Sequence, residues 1–341
     1  MEVDIRQLIE KEEYNFLKET DKDLIFLTLG GSHAYGTNVE GSDVDIRGVA
    51  FNTYSNILGM EEDYEQIVDL STDTTVYSLK KAIKLLISNN PNALEIIGTR
   101  EKDVIIYDEI GEEIIKHKNS FLSQKCIQTF EGYANAQLRR LMASLAREYP
   151  QVEKEQHILE SIKHAMYSFD SRYKNFENGS VNVYKDKAEN PELEEEIFVD
   201  VNLKHYPLRD YKSMWNDMHN IVKDYEKINH RNKKKDDEHL NKHIMHLCRL
   251  KLMLMEILKE GNISTYRADE IPLLLDIRRG LFVTKDRKLS PDFFDWITDT
   301  NKKIEALMAN TKLPEAPDYD TIEKILIMGN KKIIKKKESG L

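Results

Sequence analysis

Hydrophobic and polar positions follow two different periodicities along this chain of 341 residues. Runs rich in apolar and β-branched residues, LIFLTL, DVDIRGVAF and DTTVYSL, predict three strands within the first eighty residues. Apolar residues at three- and four-residue spacing predict helices over residues 4–20, 79–88, 119–149, 156–173, 210–229 and 244–258. Strands concentrated near the amino terminus and helices elsewhere predict an α+β fold.

This distribution of elements divides the chain into three parts. We expect a catalytic core over residues 1–115, because all three strands that flank the polar motifs lie there. Residues 116–330 are predicted to form a mainly helical C-terminal domain, and residues 331–341 a basic, solvated tail. The acidic stretch over residues 56–72 is interpreted as a solvated loop.

Two carboxylates lie close together in the predicted second strand. Asp43 and Asp45 are two residues apart, so their side chains leave the strand on the same face. At 4 Å they would repel by about 4 kcal/mol at an effective dielectric constant near 20. A divalent cation between them would remove this repulsion, and oxygen ligands favour Mg²⁺ or Mn²⁺.

A glycine-containing turn precedes this strand. Gly30 and Gly31 allow the backbone to approach a ligand closely, and Ser32 is predicted to be the N-cap of a short helix. Amide groups at a helix start can bind a phosphate. A phosphate site beside a carboxylate pair is suited to phosphoryl or nucleotidyl transfer.

These residues also carry a family resemblance. Gly31-Ser32 followed by Ser42-Asp43-Val44-Asp45 resembles the motif of DNA polymerase β-type nucleotidyltransferases. The longer segment GSHAYGTNVEGSDVDIRGV resembles more closely the predicted nucleotidyltransferases encoded beside RNA ligases, the RNA-repair branch. The resemblance implies a polymerase-β-like core and transfer of a nucleoside monophosphate from an NTP to a hydroxyl group. It implies two Mg²⁺ ions, for which Mn²⁺ can substitute.

The same resemblance assigns roles to individual residues. Asp43 and Asp45 would bind both metal ions, and a third carboxylate would bind the catalytic metal and help to deprotonate the attacking hydroxyl. Asp73, which opens DTTVYSL, matches the family pattern better than its competitor Asp69. The implied triphosphate-binding residues of this region are Gly31, Ser32 and Ser42.

A second group of polar residues lies on a helix that is otherwise apolar nearly all round. Lys242, His246 and Arg249 are spaced i, i+4 and i+7, so they form one stripe. Charges on a mostly buried helix need partners, and in a polymerase-β-like enzyme the natural partners are nucleotide phosphates. Salt bridges to acidic neighbours are the alternative. A zinc site at His243, His246 and Cys248 is disfavoured, because His246 and Cys248 diverge on a helix.

Composition limits the partners. The net charge of −10 argues against a broad nucleic-acid-coating surface, so RNA contacts would be confined to local basic patches. No apolar run is long enough to span a bilayer, and two cysteines give no disulfide framework, which favours a cytoplasmic protein without a membrane partner. The acceptor implied by the resemblance is an RNA 3′ end. Protein hydroxyls, or a non-catalytic nucleotide-sensing module, are the alternatives.

Overall fold

The structure is a computed structural model that describes residues 3–20, 22–62, 64–145, 151–172, 181–189, 191, 193–226 and 237–339. These residues form seven strands: β1 (Leu24–Leu29), β2 (Ile46–Ala50), β3 (Gln66–Asp69), β4 (Thr74–Ser78), β5 (Val104–Ile106), β6 (Val181–Lys187) and β7 (Glu195–Val201). They also form fourteen α-helices: α1 (Ile5–Leu8), α2 (Phe16–Glu19), α3 (Gly31–Tyr35), α4 (Tyr54–Leu58), α5 (Leu79–Ile87), α6 (Pro91–Ile97), α7 (Glu109–Lys116), α8 (Lys125–Leu145), α9 (Gln151–Arg172), α10 (Leu208–Glu226), α11 (Asp237–Glu260), α12 (Ile271–Arg278), α13 (Pro291–Asn310) and α14 (Tyr319–Glu338).

The first five strands form one mixed sheet in the order β3-β4-β2-β1-β5. Strand β1 is antiparallel to β2 and β5, whereas β2 and β4 are parallel. The inner strand β1 is almost completely buried, since Ile25, Phe26 and Leu27 are each 0% exposed. The sheet with its flanking helices, followed by a mainly helical remainder, confirms the predicted α+β fold class.

Strand direction brings distant parts of the chain to one end of this sheet. Because β1 runs antiparallel to β2, the carboxyl end of β1 lies beside the amino end of β2, and Leu29 pairs with Ile46. Because β2 and β4 are parallel, their amino ends are neighbours, and Ile46 pairs with Thr74. The residues that follow β1 and precede β2 and β4 therefore meet at the same sheet end.

By packing, the described chain separates into two compact units. Unit 1 comprises residues 1–133, 248–276 and 295–341, and unit 2 comprises residues 134–247 and 277–294. Unit 1 contains the five-stranded sheet, against which the amino-terminal segment packs through Ile5, Leu17 and their neighbours. Unit 2 has its own core, built from α9, α10 and the β6–β7 hairpin around Met214 and Ile221. The predicted functional division near residue 115 stays a prediction.

The carboxyl-terminal basic run is helical over residues 331–338, although the sequence predicted a basic tail from residue 331. Ile333 is buried, while Lys332 pairs with Asp108 at 2.6 Å and Lys336 pairs with Asp23 at 2.6 Å. Earlier in the same helix a Cβ atom at Gly329 would lie 2.5 Å from Leu79 Cδ2, so α14 packs tightly on α5. Tertiary contacts thus keep the basic run in the helix.

Two further local predictions differ from the structure. The expected helix over residues 4–20 is broken into α1, a 3₁₀ turn at Glu12–Tyr14 and α2, because Tyr14 and Leu17 turn inward to the core. The acidic stretch over residues 56–72 contains the end of α4 and the edge strand β3, in which Ile67 pairs with Val76. Short elements such as these have too few residues to show a periodicity.

Candidate active site

The turn after β1 places a glycine in the left-handed backbone region. Gly31 has φ +53°, and a Cβ atom there would lie 1.9 Å from Asp45 Oδ2. A side chain at this position would therefore collide with the carboxylate and strain the backbone. The prediction that Ser32 is an N-cap is wrong: Gly30 is the N-cap of α3, and Ser32 lies inside the helix, with 9% of its surface exposed.

Asp43 and Asp45 lie in the extended segment immediately before β2 rather than within the strand. The backbone of Asp45 already pairs with the end of β1, since the Gly30 amide donates a hydrogen bond to the Asp45 carbonyl at 2.8 Å. Asp45 is half-buried against the glycine turn, whereas Asp43 is exposed. The predicted carboxylate pair is therefore at the sheet end, but its two members differ in environment.

Arg47 joins Asp45 to the third predicted carboxylate. Its Nη2 atom donates to Asp45 Oδ1 at 2.7 Å and to Asp73 Oδ1 at 3.2 Å. Its Nη1 atom donates to the carbonyl of Ile46 at 2.9 Å and also to that of Asp73. Because both carboxylate oxygens contact one nitrogen atom, the structure brings Asp45 and Asp73 close together around a single positive charge.

Sequence reasoning missed Arg47. The available signal was its position two residues after Asp45 in an otherwise apolar strand, which puts both side chains on one face. Its contact with Asp73 depends on the parallel pairing of β2 with β4, and that pairing has no local signal in the sequence. The sequence could therefore have indicated the contact of Arg47 with Asp45, but not its contact with Asp73.

The two candidates for the third carboxylate have different surroundings. Asp73 immediately precedes β4 with φ +45°, a left-handed conformation that Asp adopts more readily than most residues. Asp69 ends β3, and its Oδ1 accepts from the Ser71 hydroxyl at 2.6 Å and from the Thr72 amide at 2.9 Å. The Ser71 hydrogen bond, followed by those from Thr72, lowers the pKa of the Asp69 carboxyl. Asp69 thus closes the β3–β4 turn.

Ser42 organises the loop that leads to the carboxylates. Its hydroxyl accepts a hydrogen bond from the Val39 amide at 2.9 Å, and its amide donates to the Val39 carbonyl at 3.0 Å. A His33 ring nitrogen lies 3.4 Å from the Ser42 carbonyl, which ties this loop to α3. Ser42 therefore closes a turn, and its role in nucleotide binding stays a prediction.

A buried ion pair lies behind the glycine turn in unit 1. The Arg249 guanidinium donates to Glu95 Oε1, and the Tyr35 hydroxyl donates to Glu95 Oε2 at 2.6 Å. The same guanidinium stacks on the Tyr35 ring at 3.8 Å. Thr265 donates to the Glu95 carbonyl at 2.6 Å. Tyr35 ends α3, so this cluster fixes the helix that begins at Gly31.

Burial and charge explain the protonation states of this cluster. Burial is the largest cause that raises the pKa of the Tyr35 hydroxyl above its ordinary value, so the phenol stays protonated as a donor. Burial alone would lower the pKa of the Arg249 guanidinium, but Glu95 and Tyr35 together outweigh it and hold that pKa above its usual value. Arg249 is therefore a charged group whose buried partner is a protein carboxylate.

The three residues of the predicted stripe on α11 therefore differ in their environments. Arg249 is 4% exposed and belongs to unit 1, whereas Lys242 and His246 belong to unit 2. Lys242 is exposed and His246 is half-buried. For Arg249 the alternative interpretation, a salt bridge to an acidic neighbour, matches the observed contact. The nucleotide-binding roles predicted for Lys242 and His246 stay predictions.

The residues at the sheet end suit a divalent cation. Two carboxylate oxygens already surround one positive group, Arg47 Nη2, and such oxygens are the ligands that Mg²⁺ prefers. Asp43 does not complete this pair, since nowhere in the described part of the chain are three or more His, Cys, Asp or Glu side chains grouped to hold a metal ion. The structure thus brings together two of the three predicted carboxylates.

The mixed sheet, with a glycine turn and carboxylates at one end, defines a polymerase-β-like core. Residues 5–169 match the RNA repair pathway DNA polymerase beta family. This match over residues 5–169 confirms the resemblance first noted at Gly31-Ser32 and Asp43-Val44-Asp45. At a coarse level the match supports a nucleotidyltransferase role.

No curated protein and no solved structure matches the chain. Among the helices of the described residues, none combines the length and the apolar character needed to cross a membrane.

Proposed function

We propose that this protein is a metal-dependent nucleotidyltransferase that moves a nucleoside monophosphate from an NTP to a hydroxyl group and releases pyrophosphate. One observation carries the proposal: Asp45 and Asp73 share a single cationic nitrogen at the sheet end that also holds the Gly31 turn. Two carboxylates in reach of one positive charge, in a segment that matches this family, are the equipment that divalent-metal catalysis of phosphoryl transfer requires.

The proposed mechanism gives each residue a limited task. Asp45 and Asp73 would hold Mg²⁺ or Mn²⁺, together with Asp43 from the extended segment that also carries Asp45. When bound, the metal ions would supply charge neutralisation at the transferring phosphoryl group. Asp73 would accept the proton of the attacking hydroxyl. Polarised amides at the start of α3 would bind the triphosphate, together with Ser32.

Arg249 has a different part in the proposal from Lys242 and His246. The Arg249 guanidinium is committed to Glu95, and it supports Tyr35 at the end of α3, so we assign it a positioning role. Lys242 is exposed on the amino-terminal half of α11 and is available to a phosphate. We retain Lys242 and His246 as nucleotide-binding candidates, and an RNA 3′ end as the acceptor that the family match favours.

Pyrophosphate release tests the proposal directly. The full chain would be incubated with Mg²⁺ and each NTP in turn, with and without RNA, and compared with Asp43→Asn, Asp45→Asn and Asp73→Asn. We expect release from the wild-type chain and none from these variants. Asp69→Asn is the matched control, because Asp69 hydrogen-bonds within the β3–β4 turn.

The acceptor is identified in the same assay with α-labelled NTP. Label that enters RNA supports the proposed acceptor, and label that enters the protein itself indicates a protein hydroxyl. NTP binding without any pyrophosphate release in every condition would contradict the enzymatic proposal and favour a nucleotide-sensing module.

A further inference from the structure

Arg47 is a cation at the candidate active site that contacts four oxygen atoms. Its Nη2 atom contacts Asp45 Oδ1 at 2.7 Å and Asp73 Oδ1 at 3.2 Å, and its Nη1 atom contacts the carbonyls of Ile46 and Asp73. Only a quarter of its side chain is exposed. Both terminal nitrogens of the guanidinium are therefore committed to the junction between β2 and β4.

This position is one that a metal ion would also need. A carboxylate repels a neighbouring carboxylate, so Asp45 and Asp73 require a positive charge between them at neutral pH. Arg47 supplies that charge through the fixed fork of the guanidinium group. A divalent cation bound to the same oxygens would be repelled by Arg47, and the two cations would compete for the same lone pairs.

We propose that Arg47 is a built-in counter-ion of the metal-binding carboxylates. In the metal-free protein it holds Asp45 and Asp73 side by side across the strand junction, and it leaves at least one of them when a divalent cation binds. Arg47 is thus a positioning residue that keeps the site assembled and also sets how tightly metal is held. This inference rests on the proposed function, because it requires that Asp45 and Asp73 bind metal.

Competition between Arg47 and a metal ion predicts the direction in which metal affinity changes when Arg47 is removed. Removing Arg47 removes repulsion and a competitor, so metal binding becomes tighter, whereas the metal-free protein loses the positive charge between two neighbouring carboxylates and becomes less stable. Coupling between two such events is reciprocal and typically amounts to about 5- to 150-fold in affinity. A residue that merely supported the fold would instead weaken metal binding when removed.

Mn²⁺ titration tests the inference on the full chain without nucleotide. Free Mn²⁺ is followed by its paramagnetic resonance signal at constant ionic strength for wild type, Arg47→Gln and Arg47→Lys. Arg6→Gln is the matched control, since the Arg6 guanidinium donates to the carbonyls of Lys102 and Val104, away from the carboxylates at issue. We expect a lower Kd for Arg47→Gln by about 5- to 150-fold, an intermediate value for Arg47→Lys, and the wild-type Kd for Arg6→Gln.

Melting temperatures give a second readout. Metal-free Arg47→Gln should melt below wild type, and saturating Mn²⁺ should raise its Tm by more than it raises that of wild type. If Arg47→Gln does not fold, Arg47→Lys carries the test, because it keeps a charge but cannot reach all four oxygen atoms. An unchanged or raised Kd in the folded variant overturns the inference.

Carboxylate variants separate this inference from the proposed function. If Asp45→Asn and Asp73→Asn lose Mn²⁺ binding while Arg47→Gln binds it no more tightly than wild type, only the role of Arg47 is overturned. If the carboxylate variants bind Mn²⁺ as wild type does, the metal site fails, and the proposed function and the inference fall together.

Discussion

The carboxylate of Asp45 lies against the backbone of Gly31, where even a methyl group would overlap it: a Cβ atom would stand 1.9 Å from Oδ2. We therefore predict that Gly31→Ala lowers the free energy of unfolding by about 1–3 kcal/mol, because the left-handed φ adds strain to the clash. Because the substitution displaces the Asp45 carboxylate, it should also abolish pyrophosphate release. Urea denaturation and the pyrophosphate assay check both effects.

Gly132→Ala is the matched control for this change. Gly132 lies within α8, and nothing is within 4 Å of a Cβ atom there, so alanine should raise stability by about 0.5–1 kcal/mol. In the double variant Gly31→Ala/Asp45→Ala the loss of stability should be smaller than the sum of the two single losses. A loss of stability in the double variant equal to the sum of the two single losses would contradict the clash.

A second prediction concerns the buried pair Arg249–Glu95. Arg249→Met leaves the Glu95 carboxylate buried without its counter-charge, so we expect a loss of about 3–5 kcal/mol in the free energy of unfolding. Adding Glu95→Gln should recover much of this loss, since the amide oxygen still accepts from Tyr35. Chemical denaturation of the two single variants and the double variant measures the coupling. An Arg249→Met protein of wild-type stability but raised KM for NTP would restore the phosphate-binding role.

The exposed Lys242 should behave in the opposite way. Lys242→Ala is expected to leave the melting temperature unchanged, because the side chain is exposed. If Lys242 contacts a phosphate, its loss should raise the KM for NTP by about ten- to a hundredfold, the value of a charged hydrogen bond of roughly 1.5–3 kcal/mol. Steady-state kinetics with a melting curve on the same preparation separates these effects, and an unchanged KM would remove Lys242 from the site.

A fourth prediction uses the pKa of Asp69. Hydrogen bonds from Ser71 and Thr72 lower that pKa from 3.8 in the folded protein, so the ionised carboxylate contributes stability at neutral pH. The contribution is present above the unfolded pKa and is lost as the pH falls below 3.8 through the folded pKa. Asp69→Asn should therefore be less stable than wild type at pH 7, and the difference should shrink in acid. A difference that is independent of pH would contradict this assignment.

The basic end of α14 offers a fifth prediction. Ile333 is 8% exposed, whereas Ile327 on the same helix is 42% exposed. We expect Ile333→Ala to lower the free energy of unfolding by about 2 kcal/mol, and Ile327→Ala by much less. Equal and negligible effects in urea denaturation would favour the solvated tail that the sequence predicted.

Local patterns predicted the parts of the site that are close in sequence. The Gly31-Ser32 turn, the Asp43-Val44-Asp45 segment and the start of the strand opened by Asp73 all lie at one end of the sheet. Their signals are short-range: glycines before a helix, alternating carboxylates, and a β-branched run. Short-range signals also explain why the N-cap of α3 was wrongly predicted at Ser32. Gly30 and Ser32 are both acceptable N-caps, and only the backbone conformation distinguishes them.

Local sequence patterns could not predict contacts between residues that are distant in sequence. Arg47 meets Asp73 across 26 residues, and Arg249 meets Glu95 across 154 residues. Each contact depends on how complete elements pack, so neither partner could be selected from its own neighbourhood. An apolar helix carrying Arg249 did indicate that a partner must exist, but it could not distinguish a ligand phosphate from Glu95.

Unit 1 is assembled from three separate stretches of chain, and α14 lies in the last of them. On the ribosome, at about 5–20 residues per second, α14 emerges on the order of ten seconds or more after β5 has left the exit tunnel. During that interval the apolar surface of α5 that α14 covers is exposed to chaperones and proteases. The discontinuous topology of unit 1 thus delays the completion of its fold until α14 has emerged.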